Sequence, residues 1–217
     1  MIEFLGLCVQ NLIKSIKYLF QVRFSAVLAQ AASISYDSLP ISLIIAFIAS
    51  AVIAIQVSKQ FLMSGAEAYI GGTIAVVMIR EIAPGFVALA IGARAGTAIS
   101  AEIANMQVTN QVDAMKTLKV DPVGYYFTPR LLASTITVPM VVLLAEFIGI
   151  VGGMFISQAT IDLHPARYMH SAWLWISTRD IYISLLKSAI FGCLIALVCA
   201  TQGYSTKGGA KEVGMST

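Results

Sequence analysis

The sequence has few charged residues for its length. Only 12% of its 217 residues are charged, whereas 58% are hydrophobic. A soluble domain carries about 25% charged residues, so this chain has too little polar surface to cover a water-soluble globule of its size. The composition therefore predicts an all-α integral membrane protein with several spans. The net charge of +3 is too small and too dispersed to indicate binding to nucleic acid.

The motifs of nucleotide binding and of hydrolytic catalysis are also missing. The sequence contains no GxxxxGK[ST], no HExxH and no GxSxG. Its cysteines, Cys8, Cys193 and Cys199, form no CxxC pair and are surrounded by apolar residues. We therefore expect the chain to bind no cofactor or metal and to catalyse no covalent reaction. Any energy from ATP must come through another subunit.

The first 30 residues are apolar but are interrupted by basic side chains. Apolar residues recur at helical spacing, and Lys14 and Lys17 lie one turn apart on the other face. This pattern favours a helix over 1–30 that lies in the membrane interface. A short, imperfect first span is the alternative.

Four long apolar runs are predicted to span the membrane, because each can cross a hydrocarbon core about 30 Å thick. The small and polar stretch 31–38 predicts a break before the first span, which Pro40 would open. The predicted spans are residues 39–58, 69–96, 126–156 and 181–201. Residues 157–180 are expected to form an extracytoplasmic loop, and residues 202–217 a cytoplasmic tail.

Charged residues interrupt the second and third predicted spans, although charges are costly at membrane depth. Arg80 and Glu81 are interpreted as an ion pair, and Pro84 permits a kink. Glu146 could be protonated, paired with Arg80 or exposed to a cavity. Two roles stay open for these residues and for Arg94: they brace the helices, or they line a lipid pocket.

The segment 97–123 is the most polar part of the interior of the sequence. Its apolar residues, from Ile103 to Leu118, could form the stripe of a short amphipathic helix that ends before Pro122. Such a helix between two spans is typical of a docking surface for a partner, and a solvated loop is the alternative. The candidate docking residues are Glu102, Met106, Gln111, Asp113, Met115 and Leu118.

The distribution of basic residues predicts the orientation of the chain. Basic residues are more numerous around the N-terminus, the central segment and the tail than in the other connections. The two sets are Lys14, Lys17, Arg23, Arg94, Lys116, Lys119, Arg130, Lys207 and Lys211 against Lys59, Arg167 and Arg179. The N-terminus, the central segment and the tail are therefore expected to be cytoplasmic, which requires an even number of spans.

The stretch 80–133 reads REIAPGFVALAIGARAGTAISAEIANMQVTNQVDAMKTLKVDPVGYYFTPRLLA. It resembles the permease subunit of MCE-type lipid ABC transporters, the MlaE/YrbE family. The features that carry the resemblance are, in order, Glu81 with Pro84, Gly92–Gly96 around Arg94, Ala101-Glu102, Met106, Gln111 with Ala114-Met115, Val120-Asp121-Pro122 and Pro129-Arg130. The later IGIVGG and QGY and the GGAKEVGMST tail are similar as well, so the resemblance covers nearly the whole chain.

The resemblance implies a dimeric permease that works with a cytoplasmic ATPase pair, to which ATP and Mg would bind, and with an MCE-domain protein. A coupling helix near Ala101–Asp121 would dock on the ATPase, and the two long spans would line a lipid pocket at the dimer axis. The substrate would be phospholipid or another lipid, moved to maintain the lipid distribution of the envelope. The location would be the bacterial inner membrane or an equivalent organelle membrane.

The resemblance also implies a final span after the Gly-rich tail, whereas this sequence stops at Thr217. Either the sequence is truncated, or the contact of that span is supplied in another way. Two other functions remain open from the residues alone. One is a proton- or ion-coupled secondary carrier that titrates Glu81 and Glu146. The other is a membrane scaffold that only anchors a cytoplasmic partner.

Overall fold

The computed structural model describes residues 2–19, 22–206 and 214. Helices make up nearly all of this part of the chain, and no strand occurs in it. The helices are α1 (Ile2–Lys17), α2 (Phe24–Met63), α3 (Glu67–Val108), α4 (Gln111–Thr117), α5 (Val123–Ile161), α6 (Pro165–Trp175) and α7 (Thr178–Ser205). Within α3, the segments Met78–Val87 and Gly92–Gly96 have π-helical hydrogen bonding, as does the first turn of α5.

Four of the helices, α2, α3, α5 and α7, are long and apolar enough to cross a membrane. They contain 40, 42, 39 and 28 residues. At about 1.5 Å per residue, even the shortest exceeds a hydrocarbon core about 30 Å thick. The prediction of an all-α membrane protein with four spans is confirmed. The placement of α1 in the interface and the membrane boundaries within each helix stay predictions.

The predicted break before the first span is wrong. Helix α2 begins at Phe24, runs through 31–38 without interruption and contains Pro40 in its interior. Alanine is the strongest helix former, and serine is compatible with a helix, so this small and polar stretch does not end one. Pro40 removes only the N–H that would bond to the carbonyl of Tyr36, and membrane helices tolerate such a loss. The predicted helix over 1–30 is correspondingly divided between α1 and α2.

The segment 157–180 is largely helical, whereas the sequence predicted a loop. Helix α5 ends at Ile161, and Asp162 follows in the left-handed region with φ of 55°. His164 then caps α6, since its Nδ1 accepts a hydrogen bond from the backbone N–H of Ala166 at 3.3 Å. Of the predicted tail, residues 207–213 and 215–217 lie outside the described residues, as do Phe20 and Gln21 near the N-terminus.

The contacts of the chain divide it into two compact units. The first unit comprises residues 1–38, 91–138 and 189–217. The second unit comprises residues 39–90 and 139–188. Each of the four long helices α2, α3, α5 and α7 contributes residues to both units.

In the first unit, helix α7 packs closely on α5 and is tied to α1. A Cβ at Gly192 would lie 2.6 Å from the carbonyl oxygen of Ser134, so only glycine permits this approach. The Asn11 side-chain amide donates to Thr201 Oγ1 at 3.2 Å, and both side chains are buried. These contacts join α1, α5 and the end of α7 in the first unit.

In the second unit, α6 packs against the start of α3. Tyr168 of α6 is only 1% exposed and is the largest fully buried side chain of the described residues. A Cβ at Gly71 would collide with the Tyr168 carbonyl oxygen, so the backbones of the two helices nearly touch. The Gly72 N–H also donates to Ser171 Oγ at 3.0 Å.

Candidate functional site

Arg80 pairs with a residue that the sequence analysis placed in a loop. Its Nε donates to Asp180 Oδ1 at 2.8 Å, and the Asp180 side chain is only 4% exposed. The predicted pair between Arg80 and Glu81 is wrong, because successive residues of a helix point in different directions. Asp180 lies in the first turn of α7, where its other oxygen accepts from the backbone N–H of Ser177 at 3.2 Å.

Glu81 pairs with Lys187, and the same lysine makes a second contact with the backbone of α3. Lys187 Nζ lies 3.1 Å from Glu81 Oε1 and 2.7 Å from the carbonyl oxygen of Arg80. This carbonyl lies in the π-helical segment Met78–Val87, where Pro84 leaves the backbone one N–H short, and the lysine adds a donor to that segment. The position of Lys187 near the start of its apolar run gives no sign of this contact in the sequence.

Glu146 is buried and receives a hydrogen bond from the Ser184 hydroxyl. It makes no ion pair among the residues that the structure describes, so the suggested pairing with Arg80 is not formed. Glu146 is thus held by a neutral partner, in contrast to the two ion pairs beside it.

These contacts form one group, which we call the polar cluster: Arg80, Glu81 and Pro84 of α3, Glu146 of α5, and Asp180, Ser184 and Lys187 of α7. The three residues of α7 are spaced i, i+4 and i+7, which places them on one face of the helix. This spacing is a sequence signal that could have identified them. In each of the two ion pairs, the positive and the negative charge neutralise each other. This lowers the free-energy cost of placing charged side chains in a span. The cluster can therefore brace the helices or present a polar group at their surface.

Arg94 does not belong to the polar cluster. It belongs to the first unit and pairs with Asp37 of α2 at 3.5 Å, with both side chains about half exposed. Asp37 lies in the stretch that was expected to break the chain. Arg94 thus connects α3 with α2 near the surface.

The central segment contains two helices and not one continuous amphipathic helix. Helix α3 ends at Val108, and the chain turns at Asn110, which has φ of 59°. Helix α4 follows and ends at Thr117, and Lys119 is again left-handed with φ of 57°. The predicted stripe is therefore divided, because the turn at Asn110 changes the direction of the side chains.

The apolar residues of the central segment have different environments. Ile103 and Val112 are buried and fix α3 and α4 in the fold, and Met106 and Met115 are half-buried. Leu118, in contrast, is 75% exposed. Val112, which anchors α4, was missed by the sequence analysis. Among the apolar residues predicted to dock, Leu118 has the most exposed side chain.

The charged docking candidates make contacts within the chain. Glu102 Oε2 lies 2.6 Å from Arg130 of α5, whose side chain is only 4% exposed. Asp113 accepts from Lys116 at 2.8 Å on the surface of α4. This hydrogen bond raises the pKa of the Lys116 ammonium above its ordinary value, and the charge of Tyr204 adds to the shift. Gln111 is exposed.

The end of the central segment packs against the turn that follows α1. The Tyr18 hydroxyl forms a hydrogen bond with the Asp121 carboxylate, which raises the pKa of Tyr18. Asp121 Oδ1 also accepts from the backbone N–H of Val123 at 2.9 Å and so begins α5. A Cβ at Gly124 would lie 2.8 Å from the Tyr18 ring. The central segment is thus held at both ends, by Glu102 with Arg130 and by Asp121 with Tyr18.

Comparison with known proteins identifies the family of a chain with these spans and this central segment. The family model described as Permease MlaE matches residues 27–217. The chain belongs to the MlaE permease family. Most of the chain is covered by the family match, whereas α1 precedes it. The family resemblance that the stretch 80–133 carried is confirmed.

Curated relatives of this MlaE-family chain are named as ABC transporter permeases. A probable ABC transporter permease protein of Synechocystis is 37% identical over 88% of this chain and 72% of its own length. One of Rickettsia prowazekii is 34% identical over 97% of this chain and 80% of its own length. The chloroplastic protein TRIGALACTOSYLDIACYLGLYCEROL 1 of Arabidopsis thaliana is 34% identical over 75% of this chain and 47% of its own length. The chain is an ABC transporter permease of the MlaE family, and this class implies an ATPase partner.

Proposed function

We propose that this chain is the membrane subunit of an ATP-driven transporter of lipid, with phospholipid as its substrate. It acts as a dimer with a cytoplasmic ATPase pair and with an MCE-domain protein. The observation that carries the proposal is the central segment of this ABC permease. That segment presents Leu118 with 75% of its surface exposed on a short connection between two spans.

Leu118 is suited to dock into a groove of the ATPase, because α4 is fixed while this side chain is free. Val112 is 1% exposed and anchors α4 in the first unit. Full burial of a leucine side chain contributes about 1.5–3 kcal/mol, enough to make one residue important in an interface. Gln111 and Val120 add exposed surface beside it.

The anchoring of the central segment lets it transmit motion to the spans. It continues directly into α3, and the Glu102–Arg130 pair links α3 to α5 at 2.6 Å. When the ATPase pair binds ATP and Mg and closes, it would move α4. This movement would change the distance between the α3 and α5 helices of the two permease copies. A lipid pocket at the dimer axis would then open or collapse, without covalent chemistry in the permease. The polar cluster would set the polarity of this pocket or brace its walls.

Two observations support lipid as the substrate. The Arabidopsis relative bears the name of a glycerolipid. Arg80 and Glu81 are each paired with an oppositely charged residue of α7, and the long helices present mostly apolar side chains. The membrane is the bacterial inner membrane or an equivalent organelle membrane, with the N-terminus and the central segment on the side of the ATPase.

The docking role is tested by purifying the permease from its own cells and measuring the ATPase that comes with it. Leu118→Asp should remove most of the ATPase, because a charge would enter an apolar groove. Leu174→Asp is the matched control, since Leu174 is 70% exposed on α6 of the second unit, and it should retain the ATPase. Undiminished ATPase binding by Leu118→Asp would overturn the docking role. Transport driven by an ion gradient without any ATPase would favour the secondary carrier.

A further inference from the structure

A cavity of 540 Å³ in the first unit lies where three span helices end. Its walls come from the first turns of α2, the last turns of α3 and the first turns of α5. The volume falls within the range of about 300–1,000 Å³ that is usual for small-molecule sites. None of the residues assigned to docking or to the polar cluster lines it, apart from Glu102 and Met106.

The side chain of Arg130 lines this cavity, is buried and has one N–H donor without a partner. One guanidinium nitrogen lies 2.6 Å from Glu102 Oε2, and another donates to the Tyr126 carbonyl oxygen at 2.9 Å. The Nε is buried and has no hydrogen-bond partner among the residues that the structure describes. A buried donor without a partner is costly, so a ligand or water is expected to satisfy it.

The charge around the cavity favours an anion. Arg23, at the start of α2, is exposed and lines the same space as Arg130, and Glu102 is the only acidic residue of the lining. Two cations and one carboxylate leave one net positive charge. The cavity is also next to the first turns of α2 and α5, and helix N-termini attract negative charge.

The position of the cavity favours a lipid as the source of that anion. Three of the helices that are long enough to cross a membrane end around it. Tyr125 and Tyr126 line it, and tyrosine is typical of the membrane interface. Basic pockets between membrane helices are known to hold lipid headgroups.

We propose that this cavity binds the phosphate of a phospholipid headgroup. Arg23 and Arg130 are its cationic contacts, and Glu102 positions the Arg130 guanidinium. The site goes beyond the proposed transport function, because lipid binding here needs neither ATP nor a partner subunit. It lies beside the Glu102–Arg130 link, so a bound lipid would stabilise the connection between α3 and α5.

The test measures lipid retained by the purified full chain after it has been stripped of lipid in mild detergent. Native mass spectrometry compares dioleoylphosphatidylglycerol with dioleoylglycerol, which has the same acyl chains but no phosphate. The phosphate-bearing lipid should bind at least tenfold more tightly, a difference of about 1.4 kcal/mol. Arg23→Gln should weaken its binding about tenfold, and Arg179→Gln, an exposed arginine of the second unit, should leave it unchanged.

A second variant tests the role of the buried Arg130. Arg130→Lys keeps the charge but loses the planar fork that reaches both Glu102 and the cavity, so it should also weaken lipid binding. Its fold is checked by the helical circular dichroism signal and by gel filtration. Equal binding of both lipids, or no effect of Arg23→Gln, would overturn the proposal. Complete displacement of the lipid by millimolar inorganic phosphate would overturn the lipid as the source and would identify free phosphate as the ligand.

The lipid-binding proposal and the docking proposal can each be refuted without refuting the other. Lipid retention is measured on the permease alone, whereas ATPase retention depends on Leu118. Loss of lipid binding with the ATPase still attached would refute only this inference.

Discussion

The two units of the chain use their charged residues differently. In the second unit, Arg80 and Glu81 of α3 bond to two residues of α7, so both ion pairs join long span helices. In the first unit, the Glu102–Arg130 and Arg94–Asp37 pairs also join long helices, but α4 carries a separate surface pair between Asp113 and Lys116. The ion pairs of the second unit therefore only join helices, whereas the first unit also presents an exposed segment with a surface pair of its own.

This difference predicts that substitutions in the second unit affect stability, whereas substitutions on α4 affect partner binding. When one member of an ion pair is buried, removal of either partner strongly destabilises the fold, because the other charge is left unsatisfied. A surface pair contributes little, because water and salt screen it. The variants below compare the two units by the free energy of unfolding in detergent micelles, measured by circular dichroism.

Asp180→Leu should have the largest effect. It leaves the Arg80 guanidinium without its acceptor and also removes the acceptor of the Ser177 N–H. Removal of one partner of a buried pair costs about 3–5 kcal/mol, and because Arg80 is half exposed we expect about 2–3 kcal/mol. Asp180→Asn keeps an acceptor without the charge and should recover part of the loss. Unchanged stability in Asp180→Leu would show that this pair does not brace α3.

The sequence predicted the spans better than it predicted the contacts between them. Length and hydropathy identify α2, α3, α5 and α7, because the membrane requires about 20 apolar residues for each span. The partner of Arg80 depends on the rotation of α7 relative to α3, which no local pattern of α3 contains. The spacing of Asp180, Ser184 and Lys187 marks a polar face, but it does not say which helix that face meets.

The sequence identifies the central segment more clearly than it identifies the environment of each candidate docking residue. The polar composition of 97–123 distinguishes it from the spans on either side. The exposure of Leu118 and the burial of Val112 depend on the left-handed turn at Asn110. Asparagine is one of the few residues that adopt this conformation readily, so the turn is physically reasonable, but a single asparagine is too common to predict it.

Gly71→Ala should have the next largest effect, again in the second unit. Its methyl group would collide with the Tyr168 carbonyl oxygen, and backbone cannot move aside as a flexible side chain can. Overpacking of this kind costs about 1–3 kcal/mol. Gly85→Ala is the control on the same helix, since nothing lies within 4 Å of its Cβ position, and it should be nearly neutral. Equal stability of the two variants would mean that α3 and α6 are less closely packed.

Lys187→Met should cost about 1 kcal/mol, because it removes the donor to the Arg80 carbonyl and the partner of Glu81. The same change made in a Pro84→Ala background should cost less, since the new N–H at position 84 restores a backbone donor to this segment of α3. A double-mutant cycle measures this coupling. Strict additivity would show that the lysine does not compensate for the missing donor of Pro84.

Lys116→Ala should have the smallest effect on stability. The Asp113–Lys116 pair lies on the surface of α4, with both side chains at least half exposed. Surface pairs of this kind contribute about 0.3–0.5 kcal/mol. A loss comparable to that of Asp180→Leu would remove the distinction between the two units.

The most direct test of the account is native mass spectrometry of the complex purified in mild detergent from its own cells. The account predicts two copies of this chain with two ATPase chains, an MCE-domain protein and co-isolated phospholipid. A lone, lipid-free chain would contradict the proposed function as a lipid-transporter permease that docks its ATPase through the central segment.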